Sequence, residues 1–210
     1  MKKDTRLIKI EDPQAISEAI EIIQSGGMIV FPTDTVYGVG VSAFNESAID
    51  KIYQVKERSK NKAIPILVGD PAQLSRITPP SGDQVKRIMD KFWPGALTLI
   101  LQMLSDLPDN LSSTGTIGVR IPNYKFTQDL LLQTGPLAVT SANLSGESSA
   151  KTAEEVYGNL GGKIDLILDG GKSTGGIAST VLDCTKPEPV ILRSGPISLD
   201  DIKSMLAQHR

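Results

Sequence analysis

At 210 residues, 40% apolar but only 4% aromatic, the chain is long enough to bury a core without disulfides or a metal, and that core must rest on Ile, Leu, Val and Ala. A net charge of −2 gives no global reason for a nucleic-acid coat or an anionic membrane surface, and no apolar run approaches a membrane span. Cys184 and His209 are the only residues of their kinds, which excludes an intrachain disulfide, a Cys/His zinc site and a Ser-His or Cys-His nucleophile pair within one chain.

The N-terminal MKKDTRLIKIEDP has lysines but no apolar run of signal-peptide length after it, so a cytoplasmic protein is expected. Asp12-Pro13 reads as an N-cap with proline at the first helical position. Ile16, Ile20 and Ile23 follow at helical spacing, and Gly26-Gly27 sit where a helix should stop. Met28 to Phe31 makes a short apolar strand. Asn45 to about Lys56 makes a second helix with Ile49, Ile52 and Tyr53 inward, so the segment FPTDTVYGVG is expected to bridge strand and helix.

Further strands are predicted at Ile64 to Val68, Leu97 to Leu101, Ile117 to Ile121, Leu137 to Val139, Ile164 to Ile167, Thr180 to Cys184 and Val190 to Leu192. Helices are predicted at Gln84 to Phe92, Tyr124 to Gln133 and Thr152 to Leu160. Strands and helices intermingle without a repeat or a linker, which predicts one α/β domain over residues 1–210.

Four polar clusters stand at the ends of apolar strands, where open α/β sheets bind their ligands. Thr33, Asp34, Thr35 and Tyr37 form either a plain hydrogen-bonded turn or a ligand contact. Lys56-Glu57-Arg58-Ser59-Lys60-Asn61-Lys62 is either a solvated helix end or an anion clamp, in which each charge-assisted hydrogen bond contributes about 1.5–3 kcal/mol. In GTIGVRIP, Arg120 alternates with Val119 and Ile121 and so points to the opposite sheet face, either as an ordinary exposed residue or toward a ligand that the nearby glycines let approach. TSANLSG, from Thr140, is either a serine-rich turn or a set of hydroxyls, an amide and a glycine that form an anion nest. Gly171-Lys172-Ser173 is not a P-loop, because the first glycine of that motif would fall at Leu166, inside a strand. Gly38 and Gly40 begin a dinucleotide-like GxG, but no helix opens after them.

Taken in order, FPTDTVYGVG, KERSKNKAIPILV, FWPGALTLIL, GTIGVRIP, TSANLSG, STVLD and ILRSGPI resemble the successive motifs of the YrdC/YciO-like family of threonylcarbamoyl-adenylate synthases, colinearly over about residues 15–198. The resemblance implies an open, twisted mixed sheet with flanking helices around a basic concave groove, in the short single-domain form. It implies a nucleotidyltransferase that makes threonylcarbamoyl-AMP and pyrophosphate from L-threonine, bicarbonate or CO2, and ATP, with Mg2+ carried by the nucleotide. The product would serve a downstream tRNA-modifying transferase complex.

By position, the resemblance assigns Thr35, Tyr37, Arg120, Ser141 and Ser179, or its neighbour Thr180, to threonine. It assigns Lys56, Arg58, Lys62, Thr116, Asn143, Lys151 and Arg193 to ATP, with Lys56 and Arg58 as the catalytic pair and no protein-held metal. The chain departs from the family pattern at Ser59, Ala63, Ser148 and Lys151. A second reading of the same groove is a module that binds double-stranded RNA or tRNA by shape and phosphate contacts, without catalysis. A carbamoyl-transfer domain of the hydrogenase-maturation kind is disfavoured, since its cysteine-rich zinc modules cannot be built with one cysteine.

Overall fold

The computed structural model describes residues 4–207; His209 lies outside them. Among the described residues the strands are β1 (Arg6–Lys9), β2 (Ile29–Phe31), β3 (Gly38–Ser42), β4 (Ile66–Leu67), β5 (Leu97–Gln102), β6 (Thr116–Arg120), β7 (Leu137–Ser141), β8 (Leu166–Asp169), β9 (Thr180–Asp183) and β10 (Val190–Arg193). The helices are α1 (Ala15–Gln24), α2 (Glu46–Val55), α3 (Asp83–Phe92), α4 (Lys125–Thr134), α5 (Ala153–Leu160) and α6 (Leu199–Ala207). All the strands join one open sheet in the order β1-β8-β2-β3-β7-β4-β6-β5-β9-β10. It is mixed: β2, β3, β7 and β4 run antiparallel in succession, whereas β8 is parallel to both β1 and β2, and β4 is parallel to β6.

Successive strand residues face opposite sides of a sheet, and here they feed two separate cores. Val30, Val39, Val41, Ile66, Leu99, Val119 and Leu182 face α2, α3, α5 and α6, which contribute Ile52, Ile88, Val156 and Ile202. Ile29, Phe31, Leu67, Leu137, Val139, Leu166 and Leu168 face the other way, toward Ala15, Ala19 and Ile23 of α1 and Leu130 and Leu131 of α4. On that second face the two helices cover only the half of the sheet that contains β8, β2 and β3. The alternate residues of β5, β6 and β9, namely Thr98, Ile100, Gly118, Arg120 and Val181, have no helix over them and line a cleft instead.

Local chemistry explains most of the boundaries. Asn45 caps α2 by accepting from the Ala48 N–H at 3.0 Å, and the Thr152 hydroxyl does the same for α5 from Glu155. The expected cap at Asp12-Pro13 is corrected. Asp12 accepts from the Gln14 N–H and closes a turn through its carbonyl to the Ala15 N–H, so the helix opens two residues later. The buried stripe of α1 is Ala15, Ala19 and Ile23 rather than Ile16, Ile20 and Ile23, because alanines let the helix axis lie close to the sheet while Ile16 and Ile22 pack at its flanks.

The strand β3 was not expected within FPTDTVYGVG, which therefore bridges two strands rather than strand and helix. Its glycines depress strand propensity but fit here, since a Cβ at Gly40 would stand 3.1 Å from both Phe31 and Val139.

Candidate functional site

The cleft on the uncovered half-face has a volume of about 330 Å3. Its wall brings together Thr33, Thr35 and Tyr37 from the turn after β2, Arg58 and Ala63 from the segment after α2, Arg120 from β6, Ser141 from β7, and Ser179 and Arg193 around β9 and β10. Sequence-distant clusters thus converge on one place, as strand-end polar residues of an open sheet should.

The turn after β2 is built by its own hydroxyls. Thr33 Oγ1 donates to the Val36 carbonyl at 2.7 Å and accepts from the backbone N–H groups of Thr35 and Val36. With the Thr33 proton so used, the Thr35 hydroxyl donates to Thr33 Oγ1 at 2.9 Å, and its oxygen in turn accepts from Arg120 Nη1 at 3.0 Å. Tyr37 is fully buried; its hydroxyl donates to the Gly171 carbonyl at 2.6 Å and accepts from Gly170 N–H, and burial raises its pKa well above the usual phenol value. Tyr37 therefore clamps the turn to the glycine loop that follows β8.

Three guanidiniums line the cleft, each with its pKa lowered chiefly by burial. Arg58 donates Nε to the Lys62 carbonyl at 3.1 Å and Nη2 to the Ala63 carbonyl at 2.9 Å. Arg193 donates to the Ser179 carbonyl at 2.8 Å and to its hydroxyl at 3.2 Å, and Ser179 Oγ in turn meets Thr98 Oγ1 at 2.8 Å. Neither arginine has an ion-pair partner among the described residues. Backbone carbonyls hold them in position while their charge is left for a ligand. Arg120, 5% exposed, is surrounded: Nε donates to Gly95 O at 2.9 Å, Nη1 to Thr35 Oγ1 at 3.0 Å, and Nη2 to the Asp34 carboxylate. Asp34 lowers the cost of charge at Arg120, and nearby Arg193 raises it.

Other sequence-predicted residues lie off the cleft wall. Lys56 is 1% exposed, and its ammonium donates to the carbonyls of Ser141 and Asn143 with no carboxylate in contact; burial first and Arg58 second bring its pKa down to about 8. It ties the end of α2 to the loop after β7. Asn143 is buried too, with Nδ2 bonded to the Leu144 and Glu147 carbonyls. Thr180 is fully buried and its hydroxyl donates to the Ile197 carbonyl, so of the two neighbours it is Ser179 that faces the cleft. Lys62 is exposed and Lys151, also exposed, lies over Gly176. Thr116 shares the face of Gly118 and Arg120 by alternation and is hydrogen bonded to Thr114 Oγ1 at 2.8 Å.

Thr98 is the notable residue that the sequence reading missed, and Asp34, named there only as one of a turn cluster, proves to be the ion-pair partner of Arg120. Thr98 was findable, since it is the one hydroxyl on the open face of an otherwise aliphatic strand. Among the described residues there is no grouping of three or more His, Cys, Asp or Glu side chains placed to hold a metal, and no helix is long and apolar enough to cross a membrane. Arginines, hydroxyls and one engaged carboxylate do not make a cation cage.

Residues 21–195 match the Sua5/YciO/YrdC family profile, described as telomere recombination. A threonylcarbamoyl-AMP synthase of Bacillus subtilis (strain 168) is 38% identical over 202 residues, covering 95% of this chain and 58% of its own length. The crystal structure of P. abyssi Sua5 complexed with L-threonine superposes with a TM-score of 0.88 at 33% identity, covering 96% of this chain and 60% of that one. The structure of E. coli YciO superposes with a TM-score of 0.83 at 28% identity, covering 95% of this chain and 99% of that one. The chain thus spans less than two thirds of the Bacillus and P. abyssi proteins and nearly all of YciO.

Proposed function

Because the chain belongs to the Sua5/YciO/YrdC family, we propose that it is a threonylcarbamoyl-AMP synthase, joining L-threonine, bicarbonate or CO2, and ATP into threonylcarbamoyl-AMP and pyrophosphate. The observation that supports this most is the set of three guanidiniums in one cleft, two of them without a carboxylate partner. Such a cleft favours a polyanion at one end and a small carboxylate at the other.

In this reading the amino acid lies near Thr35, Arg120, Ser141 and Ser179, with Tyr37 shaping the pocket. The triphosphate lies near Arg58 and Arg193. Thr116, Lys62, Asn143 and Lys151 belong to the nucleotide side of the site, while Lys56 positions the loop that presents Ser141. The threonine amine and bicarbonate give a carbamate with loss of water, and the carbamate oxygen attacks the α-phosphate as pyrophosphate departs. No side-chain nucleophile is needed, since alignment and neutralisation of the phosphate charge supply the rate. Mg2+ enters with the phosphates as part of the substrate, and the product passes to a tRNA-modifying transferase in the cytoplasm.

The test is pyrophosphate release from the purified chain with ATP and fresh bicarbonate, with L-threonine, with L-serine and with neither. Threonine-dependent release together with an AMP adduct of the expected mass supports the synthase. Absence of release, alongside salt-sensitive binding of double-stranded RNA, would replace it with the non-catalytic module. Arg58→Ala, which leaves the Lys62 and Ala63 carbonyls exposed to solvent and so spares the fold, should lower kcat/KM for ATP by about a hundredfold.

A further inference from the structure

The Asp34–Arg120 ion pair has a use that reaches beyond holding the turn. Both side chains are largely buried, 14% and 7% exposed, and the contact joins the turn after β2 to the end of β6 across 86 residues of sequence. Gly95 and Thr35 take two more of the guanidinium's five N–H groups, so a ligand can only join Asp34 on the rest or replace it. A ligand carboxylate that binds Arg120 must therefore displace or share Asp34, and two carboxylates on one buried guanidinium repel each other. A plain carboxylic acid would leave the Asp34 charge buried and unpaired, at a cost well above that of an exposed charge. A zwitterion does not: its carboxylate takes the guanidinium and its ammonium gives Asp34 a new partner, so one ion pair opens and two form.

We propose that Asp34 is the residue that selects an α-amino acid over other small carboxylates, receiving the α-ammonium of the entering amino acid as Arg120 receives its carboxylate. This rests on the synthase reading for the identity of the amino acid as threonine, but not for the selection itself. The neighbourhood supports a fixed acceptor. The glycine loop after β8 lies directly on the turn, where a Cβ at Gly175 would overlap the Asp34 carbonyl oxygen, and Gly176 N–H donates to the Thr35 carbonyl at 2.7 Å. These contacts hold the backbone of the turn in place, so exchange of partners at Asp34 would involve its side chain alone. The selection is by exclusion as much as by attraction, since the resident carboxylate penalises any ligand that lacks the cation.

The experiment is calorimetric titration, with and without α,β-methylene ATP, of L-threonine, of L-serine and L-alanine, of 3-hydroxybutanoate, which lacks the amine, and of 1-aminopropan-2-ol, which lacks the carboxylate. The wild-type chain should bind threonine and neither of the last two. Asp34→Asn should bind threonine about tenfold or more weakly and should gain measurable affinity for 3-hydroxybutanoate. If Asp34→Asn does not fold, the wild-type titrations decide alone. Wild-type binding of 3-hydroxybutanoate as tight as that of threonine overturns the role of Asp34 and leaves the threonine reading intact, as does an Asp34→Asn variant that binds threonine equally or more tightly. Binding of a different α-amino acid in place of threonine, lost in Asp34→Asn, overturns the threonine reading and keeps the selection. No binding of any α-amino acid overturns both.

Discussion

Lys56 shows how far a side chain's neighbours can move its role. In the sequence it is one of four cations after a helix; in the structure it is buried against two carbonyls with its pKa at about 8. The sign of the consequence follows from proton counts. Below pH 8 folded and unfolded chains both carry the proton and the burial penalty is constant; between about 8 and the usual lysine value near 10.4 only the unfolded chain does, so stability rises with pH. Relative to Lys56→Met, the wild-type chain should gain about 2 kcal/mol between pH 8 and 9.5 and nothing between pH 6 and 7.5, as read by urea denaturation. Arg120 was legible because a charged residue alternating with aliphatic ones points off their face, and Arg58 because it stands in a run of cations just past a helix; Arg193 came only from the family resemblance. The inward turn of Lys56 was not legible, because its acceptors, Ser141 and Asn143, lie 85 and 87 residues away.

At the scale of an element, the end of α2 aims two adjacent cations in different directions. Glu57 takes a left-handed conformation, φ 51°, its N–H bonding to the Gln54 carbonyl and that of Arg58 to the Tyr53 carbonyl. This is a Schellman cap with glutamate where glycine is usual. Glu57→Gly should therefore change stability by less than about 1 kcal/mol, its relief of strain offset by the entropy of the unfolded chain. Glu57→Val, a β-branched residue at positive φ, should lower stability by about 1–3 kcal/mol and weaken ATP binding by misdirecting Arg58. Thermal melts and nucleotide titration of the two variants check both. β1 is a short edge strand carrying charge and β3 is glycine-rich, so both depend on neighbours for their stability, whereas α6, with Leu199, Ile202, Met205 and Leu206 at helical spacing, was readable and was overlooked. α6 is held at its end by Arg87, whose Nη2 donates to the Leu206 carbonyl at 3.1 Å.

Over the whole molecule, one continuous sheet separates two cores, and the chain crosses between its halves repeatedly. We expect it to unfold as a single unit. Leu99→Ala on one face and Leu168→Ala on the other should each cost about 2–5 kcal/mol and shift the same transition, with far-UV circular dichroism and the fluorescence of Trp93 remaining coincident. Separate transitions would divide the chain into two domains. The cleft belongs to this scale as well, since it exists where α1 and α4 end and the sheet continues. The sequence by itself determined most of the strands and helices, that the class is α/β, and that hydroxyls and guanidiniums stand near element ends, because periodicity and residue type act within a few positions. Only the tertiary structure decided that β7 runs between β3 and β4, that half of one face stays uncovered, that Lys56 turns inward and that Asp34 seals Arg120. Each of those depends on contacts between residues tens of positions apart, whose geometry no local pattern contains.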